Sequence, residues 1–314
     1  MLNIAVIYGG KSREREVSLK SGKGIANALR GKGLNVKEID YVTKDFIKEL
    51  EGIDLVYLAL HGKYGEDGKI QGLLEILEIP YVGSGVTSSA LAMNKALAKR
   101  IFEYNGIRAA KDILLIKGSA YLENLKQTID DFGLPLVIKP NQEGSTIGLS
   151  IAENQKDLDK AVEEAFYYDD EVLIEEFISG MEVTVAVLET EEEIKALPVI
   201  EIIPNKNKYY DYDSKYAPGG SDHIIPARID KKTENIVKEW AIKAHKKLGC
   251  ETLSRVDFII PDDGSLPVIL EVNTLPGMTE TSLYPDAAKA VGISYEDIVY
   301  KFVEVTLKKH NLQT

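Results

Sequence analysis

Ser254-Arg255-Val256-Asp257-Phe258-Ile259 and Leu270-Glu271-Val272-Asn273-Thr274 are the two stretches that decide how this chain is read. Each alternates in the manner of a β-strand whose side chains leave on opposite faces. Pro261-Asp262-Asp263-Gly264-Ser265 between them is a turn signal. Paired as an antiparallel hairpin centred near Gly264, they set Asp257 against Glu271 and Arg255 against Asn273. Val256, Phe258, Leu270 and Val272 then point the other way. One face is core; the other gathers three oxygen donors and a guanidinium. Such a set suits Mg²⁺, which takes one or two protein carboxylates and completes its shell with phosphate oxygens. A solvated face of ion pairs fits the same residues, so the hairpin alone leaves both readings open.

Working outward, residues 1–85 alternate strand and helix. Strands are predicted over 4–8, 35–41, 55–60 and 80–83, and helices over 18–30, 45–50 and 68–77. The unbroken apolar run from Leu55 to Leu60 suits a parallel strand covered on both faces. This is a small doubly wound α/β unit, which binds ligands at the carboxyl ends of its strands: Gly9-Gly10, His61-Gly62 and Gly83-Ser84-Gly85. Gly9-Gly10-Lys11-Ser12-Arg13-Glu14 lacks the glycine spacing of a dinucleotide fingerprint, which argues against a nicotinamide enzyme.

Residues 86–176 read as a small α+β unit. It has a helix over 88–104 carrying Lys95, strands over 136–140, up to 151 and over 171–177, and a helix over 157–165. Residues 177–314 form a third unit. Strands are predicted over 182–188 and 195–203. A helix places Ile236, Val237, Trp240, Ala241, Ala244 and Leu248 on one face. The hairpin follows, then a closing helix over 298–308. The long polar stretch 204–221 has the character of a functional lid.

Composition narrows the function. The 314 residues carry a net charge of −12, which disfavours nucleic acid as a partner. Cys250 is the only cysteine, so neither an intramolecular disulfide nor a cysteine-based metal site can form, and its apolar flanks suggest a packed thiol. The N-terminal apolar run is too short for a signal peptide, and no run reaches the roughly 20 apolar residues that cross a bilayer. A cytoplasmic protein without membrane contact is the expectation.

The motifs are individually weak. Glu143-Gly144-Ser145-Thr146-Ile147-Gly148 could bring backbone N–H groups to phosphate oxygens, or be a plain hairpin turn; no lysine follows as in a P-loop. Lys139 ends an apolar strand, where it could aim at a ligand, and Lys95 lies on a separate element; most lysines are simply solvated. Glu175-Glu176-Phe177-Ile178 and Glu182 join two units, the place where pockets form and a purine edge could be met. Glu14 could fix an ammonium group or merely charge a first helical turn. His61 could contact a ligand or be a buried hydrogen-bonding histidine.

Together these residues resemble the D-alanine–D-alanine ligase family of the ATP-grasp fold, over the whole chain. The likeness runs through Tyr8-Gly9-Gly10 with Glu14-Arg15-Glu16-Val17-Ser18, and through His61-Gly62-Lys63-Tyr64-Gly65-Glu66-Asp67-Gly68. It continues in Lys139-Pro140 with the glycine-rich turn, and in Asp211-Tyr212 with Lys215-Tyr216. It closes on Arg255-Val256-Asp257 and Glu271-Val272-Asn273-Thr274-Leu275-Pro276-Gly277-Met278-Thr279.

The resemblance implies α/β plus α+β architecture: a doubly wound N-terminal domain (1–85) on the first-substrate side, then the two-domain ATP-grasp fold. A central subdomain (86–176) would carry the glycine-rich loop, and a C-terminal domain (177–314) the lid and the metal hairpin. It implies an enzyme that joins two D-alanine molecules for peptidoglycan precursor synthesis through a D-alanyl phosphate, releasing ADP and phosphate. Glu14 would hold the first ammonium with His61 nearby, and Glu14, Ser145 and Tyr216 would order the lid. Lys95, Lys139 and Lys215 would neutralise ATP phosphates. Glu175, Phe177 and Ile178 would meet adenine, and Glu182 the ribose. Asp257, Glu271 and Asn273 would bind two Mg²⁺, with Mn²⁺ a possible substitute. Arg255 and the Gly277 N–H would stabilise developing negative charge, and Ser282 and Leu283 would hold the second carboxylate. A homodimer is the assembly implied.

Thr146 stands where serine is common in the family, and Glu176 where lysine is common. Tyr216, where D-lactate-using relatives carry phenylalanine, points to a dipeptide product. The remaining readings are another ATP-grasp ligase with different amino acids, a nucleotide-binding regulator without chemistry, and a small-molecule binder built on the first unit.

Overall fold

A computed structural model describes residues 2–119, 125, 130–205 and 220–312. The predicted lid residues Lys215 and Tyr216 lie outside the described residues. The N-terminal sheet takes strands β1 (Asn3–Tyr8), β2 (Asn35–Asp40), β3 (Leu55–Leu58) and β4 (Tyr81–Val82) in the order β2-β1-β3-β4, all parallel. Strand alternation explains its two covered faces. Ile4 and Val6 enter one apolar cluster, and Ala5 and Ile7 a second on the other side. Helices α1 (Arg15–Gly31) and α2 (Lys69–Ile76) flank the sheet, and Lys44–Leu50 is a 3-10 turn.

Helix α1 begins at Arg15, three residues ahead of the predicted start. Ser18 is not its boundary. It lies inside the helix, where its hydroxyl donates to the Ala59 carbonyl (2.6 Å) and accepts from the Gly9 N–H (2.7 Å). That hydroxyl ties together the carboxyl ends of β1 and β3, where a ligand would sit.

The predicted helix over 88–104 is two helices, α3 (Val86–Met93) and α4 (Lys95–Tyr104). Asn94 breaks them. Its backbone is extended and its side chain accepts from the Leu97 N–H at 3.0 Å, an N-cap that starts α4 with Lys95 in its first turn. Ala92, Ala98 and Phe102 of these helices share an apolar cluster with the C-terminal sheet. The central sheet has the order β5-β8-β6-β7, from β5 (Asp112–Ile116), β6 (Leu136–Pro140), β7 (Ser150–Ala152) and β8 (Glu171–Glu176). Helix α5 (Gln155–Ala165) covers one face.

The large sheet is built around β9 (Gly180–Glu189), which pairs with β13 (Leu253–Pro261) along nine residues. The predicted strand over 195–203 is interrupted: β10 (Ile194–Ala196) and β11 (Ile200–Pro204) flank Pro198, which brings no N–H to a ladder. β12 (Ser221–Ile224) and β14 (Val268–Asn273) form the edges. Helices α6 (Lys231–Leu248), α7 (Leu283–Lys289) and α8 (Tyr295–Lys309) complete the unit. Cys250 is buried, and burial pushes its thiol up to about 12, which suits a packed rather than a reactive sulfur. Among the described residues no helix is long and apolar enough to cross a membrane.

The β13–β14 hairpin has the predicted register at Arg255↔Asn273 and Asp257↔Glu271. A bulge after Asp257 then shifts the pairing, so that Phe258 opposes Ile269. Ile269 takes the buried position. Leu270, expected in the core, instead faces the cleft beside Asp257 and Glu271.

Candidate active site

The central and C-terminal sheets enclose a cleft whose walls come from segments far apart in sequence. Lys95, Lys139, Glu175, Asp257 and Glu271 all line it, as do Phe177 and Ile178 of the connection between β8 and β9 and Glu182 near the start of β9. Asn273 lies in an adjoining smaller recess with Lys95, Glu271 and Glu66. The apolar part is supplied by Val137 and Ile151 from β6 and β7 and by Ile259 and Leu270 from the hairpin. Two sheets thus present facing apolar surfaces, as a flat ring requires, and Lys95, Glu143 and Glu271 carry the lining on into the adjoining recess.

Lys139 is buried, and its Nζ is 2.7 Å from Glu175 Oε2. The other carboxylate oxygen meets Lys99 Nζ at 2.6 Å. Burial alone would raise the Glu175 carboxyl, but the charges of Lys139 and Lys99 outweigh it and hold the group down at about 2. Lys95 donates to the Glu143 carbonyl at 2.5 Å and lies 3.8 Å from Glu271. Glu176, where the family resemblance put lysine, accepts from the Lys111 N–H at 2.9 Å, so its carboxylate serves the connection between sheet strands.

At the hairpin, Arg255 clamps Asp257 with two bonds, 3.0 Å from Nε and 2.8 Å from Nη2. Thr184 and Asn273 also donate to that carboxylate, at 2.6 and 3.1 Å. Asp257 is thereby fixed in orientation. Asn273 uses its amide N–H there and keeps its carbonyl oxygen as an acceptor.

On the N-terminal side, Ser145 of the glycine-rich turn donates to Glu14 Oε1. The close packing depends on two glycines. A Cβ at Gly144 would stand 2.8 Å from Glu14 Oε2, and one at Gly62 would stand 2.5 Å from the same atom. His61 is buried with its Nε2 3.3 Å from Ser21 Oγ, and burial lowers its basicity against the opposing pull of Glu14. Glu66 accepts from the Gly62 N–H at 2.7 Å; burial, then the like charge of Glu14, push its carboxyl up to about 8.

Gly277 packs against Ser282, whose hydroxyl accepts from the Thr279 N–H at 3.0 Å. Leu283 does not offer its side chain to the cleft. That side chain belongs to the apolar cluster under α7, leaving its main chain as the part available to a ligand.

Sequence reasoning passed over several groups that the fold brings to the cleft. Leu270 was hidden by the bulge. Glu66 sits inside a quoted motif but was given no role. Glu143, whose carboxylate pairs with Lys63 at 2.5 Å, read as part of a turn. Lys99, buried behind the cleft wall and bonded to Glu175, had no local signal at all.

Family models named D-ala D-ala ligase N-terminus and D-ala D-ala ligase C-terminus match residues 33–84 and 101–304. The chain is 57% identical, over 98% of its length and 100% of the relative's, to the D-alanine–D-alanine ligase of Halalkalibacterium halodurans. A D-alanine–D-alanine ligase of Bacillus anthracis complexed with ATP superposes with a TM-score of 0.85 at 34% identity, covering 99% of both chains. The VanG D-Ala:D-Ser ligase of Enterococcus faecalis does so with a TM-score of 0.83 at 33% identity, covering 97% of this chain and 99% of its own.

Proposed function

This chain belongs to the D-alanine–D-alanine ligase family, and from that premise we propose how its own residues carry the reaction. It is an ATP-dependent carboxylate–amine ligase that makes D-alanyl-D-alanine for peptidoglycan precursors. A carboxylate oxygen of the first D-alanine attacks the γ-phosphorus of ATP, the bond from γ-phosphorus to the β-bridging oxygen breaks, and ADP leaves. The amine of the second D-alanine attacks the resulting acyl phosphate. The carbon–oxygen bond to phosphate breaks, the amine gives up a proton, and dipeptide and phosphate remain.

Catalysis of this kind is mostly positioning and charge neutralisation. Lys139 and Lys95 meet the triphosphate, and Lys215 joins them from the lid. Phe177, Ile178 and Leu270 face the adenine, Glu175 meets its donor edge, and Glu182 meets the ribose. Glu14 holds the first ammonium, with His61 beside it, and Ser145 fixes the Glu14 carboxylate; Tyr216 extends that set. Arg255 and the Gly277 N–H receive negative charge developing on the acyl centre. Ser282 and the Leu283 main chain take the second carboxylate. The lid over 204–221 keeps water from the acyl phosphate.

The donor set fits Mg²⁺. Among the described residues no three acidic, histidine or cysteine side chains converge as a self-sufficient metal site. Two carboxylates and an amide oxygen at the phosphate end of the cleft are what a cation completed by phosphate oxygens needs. Asp257, Glu271 and Asn273 would hold two such ions, with Mn²⁺ an acceptable replacement, and the ions would offset charge on the transferred phosphoryl group. The three-unit division at 85 and 176, a homodimer and a cytoplasmic setting without nucleic-acid or membrane contact belong to the same proposal.

The observation that carries the reading is the convergence of Lys95, Lys139, Asp257 and Glu271 on one cleft. Phosphate release with ATP, Mg²⁺ and D-alanine tests it, with L-alanine as control. Release that depends on the D-isomer is expected; equal release with both isomers, or none, would reject it.

A further inference from the structure

Beyond the residues that face the cleft, one buried cation bears on it without touching it. Lys99 is 1% exposed, on the inner face of α4, one turn from Lys95. Its Nζ bonds Glu175 Oε1 at 2.6 Å and lies 3.2 Å from Asp112 Oδ1, an ion pair without hydrogen-bond alignment. The Asp112 side chain is fully buried and is also paired with Arg100. A charge so deep is unfavourable unless each partner is satisfied, so the arrangement calls for a reason.

The reason lies at Lys139. With Glu175 2.7 Å away, the Lys139 ammonium would form a neutral pair and lose much of its pull on a phosphate. Lys99 takes the opposite oxygen of the same carboxylate. Counted with Asp112 and its partner Arg100, the three cations Lys99, Arg100 and Lys139 outnumber the two carboxylates, so the group keeps one net positive charge, and Glu175 is gripped from both ends. A carboxylate gripped so cannot rotate, and each oxygen retains acceptor capacity for a donor in the cleft.

We propose that Lys99 is a positioning residue for the nucleotide: it keeps Glu175 an oriented acceptor for the 6-amino edge of a purine and leaves Lys139 charged toward the triphosphate. The inference deepens the reading above and rests on ATP occupying this cleft. The low carboxyl of Glu175 agrees with it, since an ionised group can only accept and so favours a base that donates.

The test is steady-state kinetics with ATP, ITP and D-alanine on Lys99→Met. ITP carries an oxygen where ATP has its 6-amino group. The expected result is a KM for ATP raised about tenfold, a KM for D-alanine within about twofold of the parent, and a reduced preference for ATP over ITP. Lys99→Met combined with Asp112→Asn removes the cation and one of its anionic partners together, and carries the test if the single variant does not fold. An unchanged KM for ATP in the folded variant would overturn the inference. So would equal losses toward ATP and D-alanine with the ATP:ITP ratio preserved, the mark of a purely structural lysine. Parent turnover measured alongside separates failure of this inference from failure of the functional reading.

Discussion

Replacing Glu271 by Gln removes one negative charge and leaves the shape of the side chain nearly intact. In the structure Glu271 lies opposite Asp257 across the hairpin, lines the cleft, and stands 3.8 Å from Lys95 Nζ. A unit charge about 4 Å from a cation is worth about 4 kcal/mol at an effective dielectric of about 20. The side chain is 23% exposed, which screens part of this, and the triphosphate is repelled less once the carboxylate is gone. A net loss of about 3 kcal/mol is the working figure, or about a hundredfold in kcat/KM for ATP. Phosphate release across a Mg²⁺ titration reads it, and extra Mg²⁺ should recover part of the loss. A thermal melt close to the parent's separates this from misfolding. Turnover within about threefold of the parent at low Mg²⁺ would refute the assignment of Glu271 as a metal-holding carboxylate.

Four other outcomes follow from the same geometry. Gly144→Ala puts a methyl against Glu14 Oε2 and should raise the KM for D-alanine about tenfold while changing that for ATP little, as initial rates would show. Glu175 ionises in the fold at about 2 against an ordinary 4.5. Its contribution to stability is therefore complete above about pH 4.5 and lost as pH falls toward 2, so urea melts of Glu175→Gln should lose less than the parent on acidification. Glu66 titrates at about 8 against 4.5, so its contribution is complete below pH 4.5 and fades as pH rises through 8. Melts of Glu66→Gln should lack that fade. Tyr216→Phe should raise D-lactate use relative to D-alanine; a product assay at neutral pH with an unchanged ratio would reject the role given to that hydroxyl.

The legible parts of this molecule are those whose determinants are local. Period-two alternation and a turn signal suffice to set Asp257 opposite Glu271 and Arg255 opposite Asn273, the register the hairpin has. Alternating elements in the first 85 residues likewise pointed to the parallel sheet that the fold has. What stayed hidden depends on tertiary context. A one-residue bulge leaves no mark in composition, yet it turns Leu270 from core to cleft. Asn94 reads as an ordinary polar helix residue until its side chain is seen capping α4. Ser18 resembles a helix start because its hydroxyl could cap one, whereas the fold spends it on Gly9 and Ala59. Lys99 looks like any solvated lysine; only the packing of α4 against the central sheet makes it a buried partner of Glu175. The roles of Glu14 and Ser145 came from family resemblance, and their contact across 131 positions explains why spacing alone could not supply them.

The claim on which the rest depends is that the cleft joins a carboxylate to the γ-phosphate of ATP before any amide bond forms. D-alanine labelled with ¹⁸O in its carboxylate tests this most directly, by mass analysis of the phosphate released with ATP and Mg²⁺. One labelled oxygen in each phosphate, matched by one dipeptide, is the predicted result. Phosphate free of label would mean that its fourth oxygen came from water and that no acyl phosphate had formed, contradicting the account.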